Sequence, residues 1–151
     1  MQDGAIAQML DQRGVQGDLP SMLPQADIII VAAAQTESSR GLVNDAFLSH
    51  CKAGVLIVNV ARGGLLDHGS VLRGLESGQI GGLGLDVHWT EPFDPSDPVA
   101  MHPNVLLTPH VAGVTDIVYG SMARAVIVES LRVKAGLQPS VWLNPGMRAP
   151  A

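Results

Sequence analysis

The stretch "AGVLIVNVARGGLLD", Ala53 to Asp67, decides how the chain is read. Its first half, Val55 to Asn59, is a short run of aliphatic and β-branched residues that does not alternate with polar ones. A run of that kind suits a strand of a parallel sheet, buried on both faces. Its second half puts Arg62 directly after the strand and follows it with Gly63 and Gly64. Two readings of that arginine are open. Arg62 can end the strand in a surface salt bridge while the glycines turn the backbone through positive φ. Alternatively, the strand aims a guanidinium into a cleft, where it grips an anion with two parallel hydrogen bonds.

Three further runs resemble the first: Asp27–Ala32 ("DIIIVA"), Leu83–Val87 ("LGLDV") and Val105–Leu107 ("VLL"). Between them lie segments with helix start and stop signals. Asn44 precedes "DAFLSHCKAG", which Gly54 closes, and Asp67 precedes "HGSVLRGLES", which Gly78 closes. Short polar side chains of this type cap helix N-termini, and glycine ends helices. Strand, helix and strand at this spacing make βαβ units, so the expected fold is α/β, a partial doubly wound parallel sheet of about four strands with helices on both faces. A longer helix is expected over 116–135, capped by Thr115. The connection 88–104 carries Pro92, Pro95, Pro98 and Pro103 and reads as a rigid, irregular loop.

Composition narrows the function. The chain has 151 residues, 46% hydrophobic and 15% charged, with a net charge of −5. That is enough for one buried core, and the acidic balance with no basic patch argues against nucleic acid as a partner. The single Cys51 leaves no intramolecular disulfide and no cysteine metal cluster. No apolar run approaches the ~20 residues of a membrane span, and the start "MQDGAIAQMLDQRG" lacks a secretory pattern. A soluble cytoplasmic protein is expected, with no membrane partner.

In open parallel sheets, ligands bind outside the carboxyl ends of the strands. Arg62 follows the second strand, Asp86 ends the third with Glu91 five residues on, and His110 follows the fourth. One arginine, two carboxylates and a histidine should therefore share one end of the sheet. An anion clamp, a proton donor and a carboxylate to tune it form a proton-transfer site.

The segments that hold these residues resemble the D-isomer-specific 2-hydroxyacid dehydrogenases, the group of phosphoglycerate, glycerate/hydroxypyruvate and D-lactate dehydrogenases. The resemblance runs through "ADIIIVAAAQTESSRGLVN", "AGVLIVNVARGGLLD", "GGLGLDVHWTEPFDPSDP", "HPNVLLTPHVAGVT" and "GLQPSVWLNP", from about Asp18 to Pro145. It implies an oxidoreductase that reduces a small 2-oxo acid to its 2-hydroxy acid with NAD, NADP not being excluded. It gives Arg62 the substrate carboxylate, His110 the proton of the carbonyl, and Glu91 the pairing that raises the His110 pKa toward neutrality. Asp86 would hydrogen-bond the nicotinamide carboxamide, Val60 and Ala61 would line the ring's site, and Gly113 would let the backbone approach the cofactor. Ala34 and Ser39 depart from the family's Pro- and Thr-containing loop. The full-length form is expected to be a homodimer.

A strand–GxGxxG–helix turn, which would hold the pyrophosphate, does not occur in the sequence. The nearest pattern, Gly82-x-Gly84, leads into no helix. The chain therefore reads as the C-terminal part of an NAD-binding domain over residues 1–138. Residues 139–151 would lead back toward a substrate domain. Two alternatives carry no catalysis: a regulator of the corepressor type built on this fold, and an inactive truncated remnant.

Overall fold

A computed structural model describes residues 10–140 and forms two units, one ending at Val111 and one beginning at Ala112. In the first, a short helix α1 (Leu19–Met22) flanked by two 3-10 turns leads into β1 (Ile28–Val31). Then follow α2 (Asp45–Ser49), β2 (Val55–Asn59), a 3-10 turn (Gly63–Leu65), α3 (His68–Glu76), β3 (Ile80–Leu85) and β4 (Val105–Leu107). The four strands form one sheet in the order β1-β2-β3-β4, and every pair is parallel. The four-stranded parallel sheet with flanking helices is thus as expected.

The caps read from sequence are present. The Asn44 Oδ1 accepts from the Phe47 amide at 3.1 Å and the Asp67 Oδ1 from the Ser70 amide at 2.9 Å. Each satisfies one of the amides that a helix start leaves unpaired. Gly78, at φ +75°, closes α3 in the left-handed conformation that glycine adopts without cost. The β3 strand starts three residues before the apolar run Leu83–Val87 and takes in Gly81 and Gly82, which carry no side chain to extend that run. They mark a bulge: the register slips so that Val55 pairs with Ile80 but Leu56 pairs with Gly82. A Cβ on Gly81 would stand 2.5 Å from the Gly54 carbonyl oxygen, so the close backbone approach there demands glycine.

Burial differs from the expectation. One face of the sheet is a core: Val31, Val55, Ile57, Ile80, Leu83 and Leu85 pack with Phe47 and Leu48 of α2 and Val71 and Leu75 of α3. Val99, from the 88–104 loop, closes the same cluster. The other face is apolar yet exposed, with Ile28 at 59%, Ile30 at 66% and Leu106 at 71%. Topology explains this. Right-handed crossovers between sequential neighbours in a sheet that grows one way all pass over the same face. Only a reversal of strand order would put helices on the second face.

The second unit contains α4 (Asp116–Lys134), which Thr115 caps by accepting from the Val118 amide at 3.2 Å. None of its residues is buried. Of the expected tail 139–151, residues from 141 on lie outside the described part, as do residues 1–9.

The one-sided core has a direct test in the 151-residue chain. Ile57→Ala empties a fully buried site and should cost about 2–5 kcal/mol, whereas Ile30→Ala should change stability by only about 0.5 kcal/mol. Urea unfolding midpoints of the two variants check this, and equal losses would mean that Ile30 is packed in a second core.

Candidate functional site

The carboxyl ends of β2, β3 and β4 point the same way, so the loops that leave them converge. After β2 the chain is shaped by Asn59, which is fully buried. Its Oδ1 accepts from the Ala61 amide at 3.0 Å and its Nδ2 donates to the Arg62 carbonyl at 2.9 Å. This closed loop sets Arg62 in an extended conformation at the head of the 3-10 turn. The guanidinium donates to the Ala61 carbonyl at 2.6 Å. Among the described residues it has no carboxylate within ion-pair reach, which removes the salt-bridge reading.

Nor do the two glycines after it turn through positive φ. They provide room. A Cβ on Gly63 would lie 2.2 Å from the carbonyl carbon and oxygen of His88, and one on Gly64 would lie 2.6 Å from the Gln35 Oε1. The segment bearing Gln35 and Arg40 is held beside this turn by backbone bonds from the Gly41 amide to the Gly64 carbonyl and from the Val43 amide to the Leu65 carbonyl.

After β3 comes Asp86, 5% exposed. Its Oδ1 accepts from the Thr108 hydroxyl at 2.6 Å and from the Val111 amide at 2.8 Å. Those two donors flank His110, so one buried carboxylate grips the His110 loop on both sides. Within that loop the His110 amide donates back to the Thr108 carbonyl at 3.0 Å. His110 itself sits at φ +56°, the one non-glycine residue with positive φ among the described residues. Such a backbone costs of order 1–3 kcal/mol and persists only where the surroundings impose it.

Glu91 meets His110 as the sequence predicts. The Nδ1 of His110 stands 2.8 Å from the Glu91 Oε2, and both side chains are partly exposed. The other oxygen of Glu91 accepts from the His88 amide at 3.1 Å. The hydrogen bond to His110, followed by that from the His88 amide, holds the Glu91 carboxyl below its ordinary pKa. An ionised carboxylate only accepts, so Nδ1 of His110 carries a proton and Nε2 is the nitrogen left for exchange.

Arg62, Glu91 and His110 line one cleft of about 370 Å³, together with Gln35, Arg40, His88 and Trp89. A second, open depression of about 590 Å³ adjoins it at Arg62 and is walled by Ala32, Ala33, Ala34, Val60 and Ala61. Its small apolar walls leave space for a flat ring beside the arginine, as a nicotinamide would need. Ser39 is turned into its own loop, where its Oγ donates to the Ala34 carbonyl at 2.8 Å. Gly113 belongs to the second unit, and a Cβ there would meet nothing within 4 Å. Asn59, His88 and Arg40 were not singled out by sequence. The only local signal was an asparagine at a strand end two residues before an alanine that it caps.

The sequence model of the family described as "D-isomer specific 2-hydroxyacid dehydrogenase, NAD binding domain" matches residues 5–112. Formate dehydrogenase, chloroplastic/mitochondrial, of Arabidopsis thaliana is 41% identical over 98 residues, which are 65% of this chain and 26% of the relative. D-3-phosphoglycerate dehydrogenase of Rattus norvegicus is 43% identical over 98 residues, 64% of this chain and 18% of the relative. The fold matches the D-isomer specific 2-hydroxyacid dehydrogenase of Xanthobacter autotrophicus Py2 in complex with NADPH and MES. That match has a TM-score of 0.74 at 32% identity and covers 86% of this chain and 53% of the other. The chain spans about a quarter or less of the length of these two curated relatives. A buried aspartate gripping a histidine loop, an arginine with no acidic partner among the described residues and a match over residues 5–112 agree: the chain belongs to the D-isomer specific 2-hydroxyacid dehydrogenase family, within its NAD-binding domain.

Proposed function

We propose that the chain supplies the nicotinamide side of a dehydrogenase site that interconverts a small 2-oxo acid and its 2-hydroxy acid, with residues 1–138 as part of one NAD-binding domain. The observation that carries this reading is Arg62. A guanidinium with no carboxylate of its own among the described residues, in the same cleft as a Glu–His pair, is suited to take a carboxylate from outside.

A nicotinamide cofactor, when bound, supplies or accepts the hydride at the carbonyl carbon. Everything else falls to the protein. Arg62 binds the carboxylate bidentately and so turns the adjacent carbonyl toward His110. His110 gives the proton on Nε2 to the carbonyl oxygen in reduction and takes it back in oxidation. Glu91, on Nδ1, fixes the ring's orientation and its tautomer. Val60 and Ala61 would bound the ring's place, and Ala32 to Ala34 the opposite wall. Asp86, already bonded to Thr108 and Val111, would add the carboxamide of the nicotinamide to its partners. NAD and NADP differ at the adenosine ribose, which these residues do not reach, so either fits this half of the site.

Two measurements bear on this reading. The first is titration of the 151-residue chain with a small 2-oxo acid, with NADH present well above the roughly millimolar dissociation constant expected without a phosphate-holding glycine turn. The His110 and Arg62 side-chain resonances should shift together. Arg62→Ala should weaken the response to the acid about 10- to 100-fold, as expected for loss of a charge-assisted hydrogen bond, and Arg62→Lys should restore only part of it. An unchanged response in Arg62→Ala would rule out the anion clamp.

The second concerns pH. Since the Glu91 carboxyl titrates below its ordinary value in the folded chain, its ionised form adds stability above the ordinary carboxylate pKa. That contribution disappears as pH falls through the depressed folded value. Glu91→Gln lacks it, so between about pH 7 and about pH 3 the variant should lose less stability than the parent chain. Urea midpoints at both ends of the range decide it. Equal losses would mean that the Glu91–His110 pair contributes nothing in solution.

A further inference from the structure

His88 follows Asp86 by two residues and is buried to 9% exposure. Three of its parts touch three different segments of the cleft. Its amide donates to the Glu91 Oε1 at 3.1 Å. Its ring Nε2 lies 3.0 Å from the Thr108 carbonyl. Its own carbonyl packs so closely on Gly63, next to Arg62, that no Cβ fits between them. A carbonyl oxygen only accepts, so the ring must carry its proton on Nε2. The same Thr108 carbonyl also accepts from the His110 amide at 3.0 Å. It is the acceptor of the tight turn that ends at His110, whose φ is +56°. Phe93 covers the ring of His88 with centroids 4.8 Å apart, which fixes the imidazole plane.

We propose that His88 is a positioning residue, which sets Glu91 through its backbone amide and the His110 turn through its ring, so that both partners of the proton-transfer pair are referenced to one buried residue. This rests on the reading of Glu91 and His110 given above. A purely apolar ring at this position would keep the packing on Phe93. It would leave the Thr108 carbonyl with one donor fewer, in a turn whose backbone is already strained. The His110–Glu91 distance would then be free to vary.

The test reads the pair directly in the 151-residue chain. The side-chain carboxyl carbon of Glu91 is followed by NMR through its acid titration in the parent, in His88→Phe and in His88→Gln. Both variants keep the amide at position 88, so only the ring's bond changes. His88→Phe should move the Glu91 midpoint upward, toward an ordinary carboxylate. His88→Gln, whose Nε2 has similar reach to the Thr108 carbonyl, should keep it near the parent value. An unmoved midpoint in a folded His88→Phe chain overturns the proposal. So does a His88→Gln chain that shifts as far as the phenylalanine variant, because packing alone would then explain the effect. Should His88→Phe fail to fold, the imidazole nitrogen-15 shifts of the parent chain decide. A proton on Nε2 of His88 near neutral pH supports the bond, and a proton on Nδ1 alone overturns it. None of these readings needs cofactor or turnover. A failed 2-oxo acid titration would therefore leave them standing, and their failure would leave the anion clamp standing.

Discussion

Asp86 is a carboxylate at the end of an apolar strand, almost out of contact with water. A group of that kind is tolerated only where donors replace the water it has lost. Here the replacements are the hydroxyl of Thr108 and the amide of Val111, and His110 lies between them. The need to satisfy one buried acid thus becomes a constraint on a loop. That constraint holds His110 in a backbone conformation it would not choose by itself and turns its Nδ1 toward Glu91. Losing either donor would take from the buried acid part of what replaces its water, and removing the aspartate would release the loop. The placing of the His110 loop and the solvation of this buried acid therefore share these two hydrogen bonds.

The sheet supplies the rest. Four parallel strands in sequential order bring every carboxyl end to one side, which is why residues as distant as Arg62 and His110 share a cleft. The same order sends α2, α3 and the 88–104 loop to a single face, leaving Ile28, Ile30 and Leu106 exposed on the other. Convergence of the site and one-sidedness of the core are two results of one topology.

Much of this is legible in the sequence because it is local. The apolar runs of β2 and β4 have the bounds read from composition, and the caps at Asn44, Asp67 and Thr115 act within three residues of themselves. Arg62, Glu91 and His110 could be brought together because each follows a strand in a parallel sheet. What escaped reading depends on distant partners. Continuous apolar strands look buried on both faces whether or not a second layer exists, so their pattern alone does not tell the exposed face from the packed one. Gly63 looks like a turn residue, but what requires glycine is the backbone of His88, twenty-five residues later. Nothing near His88 in the sequence marks its ring, whose partner is the Thr108 carbonyl twenty residues on. Gly81 falls outside the apolar run read as the third strand, because the carbonyl that requires a glycine there belongs to Gly54.

The central claim is that Arg62 and the Glu91–His110 pair act on one ligand. A crystal structure of the chain with NADH and an unreactive analogue of a small 2-oxo acid tests it most directly. The account predicts that the analogue's carboxylate lies on the Arg62 guanidinium. Its carbonyl oxygen should stand about 3 Å from Nε2 of His110, with Glu91 still on Nδ1. A carboxylate bound away from Arg62, or a His110 ring that has left Glu91 to meet the ligand, would contradict it.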